Sequence, residues 1–129
     1  IDLKNKIKNT EALIIGGSAG AINMAESVYC IPELEGESTD PNFSRNLIGL
    51  GLTNINILPH YDIFKEFILD NKKFIDEIIL PDSYERTIYA LNNGSYILVD
   101  DKNYLYGEAY LLKDGSIMKI NNNDEIKVI

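Results

Sequence analysis

An apolar tetrapeptide that leads directly into a glycine-rich turn constrains the fold of this chain more than any other feature. Residues 12–15 read Ala-Leu-Ile-Ile, and Gly16-Gly17-Ser18-Ala19-Gly20 follow them. A continuous apolar run is typical of a strand that is covered on both faces of a parallel sheet. The small residues that follow favour a helix lying close to that sheet. The sequence therefore predicts a strand over 12–15, a sharp turn at Ser18 and a helix over 18–28.

The turn carries the pattern Gly-x-Ser-x-Gly, with Gly16, Ser18 and Gly20 at the fixed positions. In a nucleophile elbow a strand reverses into a helix, one serine hydroxyl projects from the strained turn, and the flanking glycines leave room for it. We expect a bulky residue at Gly16 or Gly20 to block this approach. The backbone N–H of Ala19 is the first expected oxyanion donor. A glycine-rich turn with an incidental serine is the alternative interpretation.

Ser18 needs a base, because an alkyl hydroxyl is a poor nucleophile near neutral pH. His60 is the only histidine of the chain, and it follows a second apolar strand predicted over 55–58. In open α/β sheets the ligand crevice lies at the carboxyl ends of the strands. Both predicted strands would therefore bring their polar residues to one edge, which predicts Ser18 as nucleophile and His60 as general base.

A carboxylate is expected to orient the His60 imidazole and to stabilise its protonated form. Asp62 is two residues away, but at the start of a predicted helix it is interpreted as the N-cap. The loop over 29–46 breaks all periodicity with proline and glycine, and long loops of this kind are usually functional or mobile. The candidates are the acids that lie between Ser18 and His60, namely Glu26, Glu33, Glu35, Glu37 and Asp40.

The rest of the chain alternates between helical and strand patterns. Leu3 and Ile7 predict a short helix over 2–9, and a second helix is expected from Asp62 to about Phe74, before a strand over 77–80. Turn residues divide the last third into strands predicted over 86–91, 96–100, 104–112 and 116–120. This order predicts one α/β domain over 1–129, with a mostly parallel sheet, flanking helices and a C-terminal antiparallel hairpin region.

Composition argues against several classes of function. Twelve Lys and Arg against 20 Asp and Glu give a net charge of −8, which would repel nucleic acid and anionic membranes. Cys30 is the only cysteine, so an internal disulfide is excluded, and with one histidine no soft ligand set for a structural zinc ion remains. No apolar run is long enough for a bilayer, and no secretion segment is recognised. We expect a cytoplasmic protein without a metal or an organic cofactor.

The chain resembles the serine peptidases that include dipeptidase E, an alpha-aspartyl dipeptidase, and, more distantly, cyanophycinase. The matching segments are Gly17-Ser18-Ala19-Gly20-Ala21 and Gly49-Leu50-Gly51-Leu52, the latter running through Leu58-Pro59-His60-Tyr61. The resemblance implies a fold similar to that of class I glutamine amidotransferases, with Ser18 as nucleophile and His60 as base. It also implies an acid from the intervening loop, and Glu33 lies about where dipeptidase E has its aspartate.

The resemblance covers essentially the whole chain but only the C-terminal half or so of the family's domain. We therefore expect a sheet that is incomplete at its N-terminal side and is completed by a preceding segment or by a second chain. Without that partner the strand predicted over 12–15 would expose its edge and one face.

The function implied by the resemblance is hydrolysis of a peptide bond in a small peptide such as an Asp-X dipeptide. An Asp side chain would require a cation, and Arg45 and Arg86 are the only arginines, although a surface role is the simpler interpretation of both. A non-catalytic α/β binding or interaction domain and a cyanophycinase-like isopeptide hydrolase are the alternatives. Glutamine amidotransfer is disfavoured, because its nucleophile at the elbow is a cysteine.

Overall fold

Short strands dominate the fold. The computed structural model describes residues 2–129, and Ile1, which the predicted domain includes, lies outside the described residues. The helices are α1 (Leu3–Lys8), α2 (Ala19–Ile22), α3 (Tyr61–Phe64) and α4 (Leu80–Asp82), and Phe74–Ile79 forms a π-helix. The strands are β1 (Ser27–Tyr29), β2 (Asn46–Ile48), β3 (Asn56–Leu58), β4 (Ile68–Leu69), β5 (Lys72–Lys73), β6 (Ile88–Leu91), β7 (Tyr96–Val99), β8 (Asn103–Tyr106), β9 (Ala109–Lys113), β10 (Ser116–Asn121) and β11 (Ile126–Val128).

The main sheet has the strand order β10-β9-β6-β3. β3 and β6 pair in parallel, with Leu58 opposite Ala90, whereas β6 with β9 and β9 with β10 are antiparallel. The predicted mixture of helices and strands is confirmed, but the described sheets are only partly parallel rather than mostly so. The reason is that β6 pairs in parallel with β3 along one edge and antiparallel with β9 of the C-terminal hairpin along the other.

The smaller sheets are antiparallel, in the orders β1-β2, β4-β5 and β11-β8-β7. The pairings of β7 to β11 are therefore antiparallel, as the turn residues of the last third predict, but β6 and β7 lie in different sheets, so the hairpin predicted between them is wrong. The strand predicted over 104–112 is two strands, β8 and β9. Gly107 lies between them with φ of 87°, a conformation that favours glycine, and the chain changes sheet at this point.

The core is formed by the main sheet and the segment over 61–82 that connects β3 to β6. The apolar side chains of the π-helix are buried, and the ring of Phe74 stacks on Phe64 with centroids 4.9 Å apart. The helix predicted from Asp62 to Phe74 is wrong beyond α3, because Asp70 and Asn71 adopt φ of 52° and 58° in the turn between β4 and β5. The strand predicted over 77–80 is wrong as well, since these residues belong to the π-helix and α4.

Residues 12–15 belong to none of the described sheets. Leu13 is 76% exposed and Ile15 is 83% exposed, so the predicted buried strand is absent from the described structure. The helix predicted over 18–28 is limited to α2, because the chain enters β1 at Ser27. The expectation that a preceding segment or a second chain covers residues 12–15 stays a prediction. None of the helices within residues 2–129 has the length and apolar character required to cross a membrane.

Candidate active site

The Ser18 hydroxyl lies beside the His60 imidazole, with Oγ 3.1 Å from Nε2. This distance is within hydrogen-bond reach, which is the geometric requirement for a nucleophile and its general base. The structure therefore brings together the two residues that the sequence predicts for these roles, which lie 42 positions apart in the chain.

The backbone at Ser18 has the strained geometry of an elbow. Its φ of 50° and ψ of −120° lie in a region that non-glycine residues rarely adopt, at a cost of about 1–3 kcal/mol. Ser18 occupies the N-cap position of α2, yet its side chain forms no capping hydrogen bond. The hydroxyl is directed to His60 instead, so the turn presents it to the base rather than using it to stabilise the helix.

The two glycines of the motif have different environments. A Cβ at Gly16 would lie 2.7 Å from the carbonyl carbon of Gly20 and 2.8 Å from the backbone nitrogen of Ala21. A Cβ at Gly20 would meet no atom of the described residues, 2–129, within 4 Å. Close packing against the start of α2 therefore requires glycine only at Gly16. A methyl group at Gly20 would meet no atom of residues 2–129 within 4 Å, and the expectation that a bulky residue there blocks the approach stays a prediction.

The backbone N–H of Ala19 is available next to the nucleophile. Ala19 is the first residue of α2, where N–H groups have no intrahelical partner, and it donates to no acceptor within residues 2–129. An N–H group at this point of an elbow can donate to an oxygen atom on which negative charge develops.

The His60 side chain is positioned by β3 and by aromatic packing. β3 ends at Leu58, and His60 follows as the N-cap of α3 with φ of 59°. Its ring meets Phe64 edge-on, with centroids 6.5 Å apart. Because Phe64 in turn stacks on the fully buried Phe74, the imidazole is supported by the core.

Asn93 contacts the other ring nitrogen of His60. Its Oδ1 lies 2.6 Å from Nδ1. Asn93 lies two residues after the end of β6, and His60 lies two residues after the end of β3. Because these strands pair in parallel, both residues come to the same end of the sheet. Sequence reasoning missed Asn93, because Asn-Asn-Gly is typical of a hairpin turn. Knowledge that β6 pairs in parallel with β3 would have placed Asn93 beside His60.

Asp62 contacts the turn that carries Asn93. Its Oδ1 accepts the backbone N–H of Asn93 at 3.0 Å. The N-cap position that the sequence predicts for Asp62 is occupied by His60, so Asp62 lies in the first turn of α3. A carboxylate is thus close to the site, but it holds the backbone of Asn93 and has no hydrogen bond to the imidazole.

The acids of the loop between β1 and β2, which the sequence predicts over 29–46, have other surroundings. Glu33 is exposed, and its backbone N–H donates to Oε2 of Glu37 at 2.8 Å. Within residues 2–129, the hydrogen-bond partners of the His60 ring are Ser18 and Asn93. The ring has no such bond to Glu33, nor to the other candidate acids, Glu26, Glu35, Glu37 and Asp40.

Asp70 fixes the conformation of this acidic loop. It accepts hydrogen bonds from the Ser38 hydroxyl and backbone N–H and from the Gly36 N–H, the last at 2.5 Å. The Ser38 hydroxyl and then the Gly36 N–H stabilise the charged carboxylate and lower the pKa of Asp70 to about 2. The loop is therefore tied to the turn between β4 and β5.

A groove of about 430 Å³ opens beside the three site residues, Ser18, His60 and Asn93, which line it. The rest of its wall is mainly apolar and comes chiefly from residues 13–17, alternate residues over 53–59, the end of β6, and β7. Within residues 2–129 no Lys, Arg, Asp or Glu lines this groove. An apolar concavity with a few polar groups at one end is typical of sites for small molecules.

Arg45 and Arg86 lie in a separate cluster around Tyr29. The Nε of Arg45 is 2.9 Å from Oδ2 of Asp82, and the Tyr29 hydroxyl donates to the same oxygen at 2.6 Å. The Arg86 guanidinium lies 4.6 Å from the Tyr29 ring centroid and donates to Asn46. Burial, followed by the hydrogen bond to Asp82, raises the pKa of Tyr29. Neither arginine lines the groove.

Comparison with known proteins identifies one family. The model of peptidase family S51 matches residues 2–106, a segment that includes Ser18, His60 and Asn93. No significant match was found to a curated protein or to a solved structure. The match does not support the narrower expectation that the chain corresponds to the C-terminal half of the family's domain. Since the family model covers most of the sequence, the chain belongs to peptidase family S51, a family of serine peptidases.

Proposed function

We propose that this chain hydrolyses the peptide bond of a small peptide, with Ser18 as nucleophile and His60 as general base. The observation that supports this most directly is the 3.1 Å distance between Ser18 Oγ and His60 Nε2 at a strained turn. Membership of a serine peptidase family supports the same chemistry.

In the first half of the reaction, Ser18 Oγ attacks the carbonyl carbon of the substrate while its proton passes to His60 Nε2. The carbonyl electron pair moves to the oxygen, whose negative charge is stabilised by the Ala19 N–H. The carbonyl then reforms, the C–N bond breaks, and His60 returns the proton to the leaving amine. In the second half, water attacks the acyl-serine with His60 again as base, which releases the acid and restores Ser18.

The proposed reaction uses only protein groups and water, without a metal or an organic cofactor. The proposed substrate is a free small peptide and the proposed setting is the cytoplasm, while the acidic composition argues against nucleic acid or an anionic membrane as partner. A fold similar to that of class I glutamine amidotransferases, completed by a preceding segment or a second chain, is part of the same proposal. Exposed apolar side chains at residues 13–15 support the idea of such a covering partner.

The proposed substrate is an Asp-X dipeptide, from the resemblance to dipeptidase E, and a β-aspartyl isopeptide is the second candidate. The groove offers no cation for an Asp side chain from residues 2–129, and Arg45 and Arg86 bind other partners. Matched peptides Asp-Leu, Leu-Leu and β-aspartyl-Leu therefore separate the candidates. Faster release of leucine from Asp-Leu supports the first, whereas a preference for Leu-Leu contradicts both.

A fluorophosphonate probe, which reacts with activated serines, tests the proposed nucleophile. We expect covalent labelling of the folded chain at Ser18, loss of labelling in Ser18→Ala and strong slowing in His60→Ala. Thermal unfolding of each variant controls for loss of the fold. A chain that unfolds cooperatively yet never reacts would refute the hydrolase and favour a non-catalytic binding domain.

A further inference from the structure

The Nδ1 atom of His60 faces an amide, whereas a serine hydrolase triad usually presents a carboxylate there. We propose that Asn93 is a positioning residue that holds the His60 imidazole in the tautomer with its proton on Nδ1. The observation that carries this inference is the 2.6 Å distance between Asn93 Oδ1 and His60 Nδ1. The catalytic consequence of this role rests on the proposed function, whereas the tautomer itself does not.

The tautomer decides whether His60 can act as a base. A neutral imidazole has one donor and one acceptor nitrogen, and an amide oxygen can only accept. With Asn93 Oδ1 at Nδ1, the proton is on Nδ1, and the lone pair of Nε2 points to the Ser18 hydroxyl. A free neutral imidazole side chain favours the opposite tautomer, in which Nε2 carries the proton and cannot accept another. Asn93 therefore selects the form that can take the serine proton.

Asn93 is itself held by α3, the helix whose N-cap is His60. The Asn93 side chain binds the His60 ring, the Asn93 backbone N–H binds Asp62 Oδ1 at 3.0 Å, and Asp62 is two residues after His60 in α3. This closed set of contacts, which we term the His60–Asn93–Asp62 circuit, fixes the side chain and the backbone of Asn93 together. Because β3 and β6 are paired in register beneath it, the circuit has a rigid base.

An amide partner makes a different electrostatic contribution from a carboxylate. Hydrogen bonds to an ionised acceptor are roughly twice as strong as neutral ones, so a carboxylate at position 93 would stabilise the protonated ring more than Asn93 does. Asp62 is the charged side chain of the circuit, and it accepts a backbone N–H of Asn93 rather than binding the ring. Asn93→Asp should therefore keep the tautomer and add stabilisation of the protonated ring.

The first test reads the tautomer directly by NMR. Because His60 is the only histidine, the ¹⁵N shifts and couplings of its ring are assigned without ambiguity. At a pH high enough for the ring to be neutral, we expect the Nδ1–H form in the wild type and in Ser18→Ala. In Asn93→Ala we expect mainly the Nε2–H form. An Nε2–H ring in the wild type, or an unchanged tautomer in Asn93→Ala, would overturn the proposal.

The second test measures the rate of fluorophosphonate labelling against pH. We expect Asn93→Ala to react about 10- to 100-fold more slowly, because the base is then misoriented. Asn93→Asp should react at a rate close to that of the wild type, with the acidic limb of its profile moved up by about one pH unit. Asn123→Ala, an exposed asparagine in another turn, serves as the matched control with an unchanged rate.

Comparison with Glu33→Gln discriminates between the two candidate partners of the ring. Slower labelling in Glu33→Gln together with an unchanged rate in Asn93→Ala would overturn the proposal and favour the acid of the loop. Should Asn93→Ala fail to fold, the pH profile of Asn93→Asp decides, since an unmoved acidic limb contradicts contact with the ring. A wild-type chain with the Nδ1–H tautomer that never labels would refute the proposed hydrolase while leaving Asn93 as the group that sets the tautomer.

Discussion

A single methyl group at Gly16 is expected to disturb both the stability of the fold and the reactivity of Ser18. The Cβ of Gly16→Ala would lie 2.7 Å from the Gly20 carbonyl carbon and 2.7 Å from Met24 Cε, which is 0.7 Å short of the 3.4 Å where ordinary contact begins. Overpacking of this kind costs about 1–3 kcal/mol. Replacing glycine by alanine also reduces the conformational entropy of the unfolded chain, which offsets about 0.4–1 kcal/mol of this cost. A net destabilisation of about 1–2 kcal/mol remains.

Gly20→Ala is the matched control, because its Cβ would meet no atom within 4 Å in the part of the chain that the structure describes. Since about 1 kcal/mol shifts the Tm of a domain of this size by a few degrees, we expect Gly16→Ala to melt about 5 °C lower and Gly20→Ala to melt no lower than the wild type. Relief of the clash moves the start of α2 away from Gly16 and Ser18 with it, so fluorophosphonate labelling should slow by about 100-fold in Gly16→Ala alone. Identical melting and labelling of the two variants would refute the close approach of the turn and α2.

Three further perturbations test the surroundings of the site. Gly49→Ala would place its Cβ against the carbonyl oxygen of Ala25, so denaturant unfolding should show a loss of about 3 kcal/mol; full stability would contradict this packing. Phe74→Ala empties a fully buried position beneath Phe64 and should lower the free energy of unfolding by about 3–5 kcal/mol, with a smaller loss indicating that the cavity collapses. The pKa of Asp70 is lowered, so its contribution to stability is complete above its ordinary value near 3.8 and disappears as pH falls through about 2. The amides that Asp70 binds should therefore lose their protection from hydrogen exchange between about pH 4 and 2. Asp70→Asn should abolish this dependence on pH. An identical profile in the variant would show that another group controls the loop.

Local signals were sufficient to bring Ser18 and His60 into one hypothesis. The Gly-x-Ser-x-Gly pattern specifies a strained turn through residues that are adjacent in the chain, and the only histidine follows an apolar segment. Such features depend on backbone conformation within a few residues. The structure places the two side chains 3.1 Å apart.

Asn93 could not be predicted in the same way, because its position depends on the pairing of strands distant in sequence. The pattern over 86–91 is equally suited to a parallel or an antiparallel neighbour, and the turn residues after it favoured a hairpin. The actual partner of β6 on one side is β3, some 30 residues earlier. Sequence periodicity identifies strands, but it does not identify the strand with which each one pairs in the sheet.

Two segments show how tertiary context overrides local pattern. The apolar residues 12–15 would form a strand only with a neighbour that supplies hydrogen bonds, and residues 2–129 provide none for them. The segment after α3 has helical spacing of apolar residues, but the left-handed backbone at Asp70 and Asn71 reverses the chain into a hairpin. Both Asp and Asn tolerate that conformation better than most residues.

The distribution of the site residues along the chain has a consequence for folding. Ser18, His60 and Asn93 each come from a different segment, and the β3–β6 pairing that unites two of them closes a loop of about 30 residues. Contacts between distant segments form late, because the entropy of loop closure must be overcome first. On the proposed function, reactivity toward the phosphonate should therefore report native assembly. During refolding from denaturant it should return only after the circular dichroism of helices and strands has recovered, and an isolated peptide carrying the serine turn should be inert.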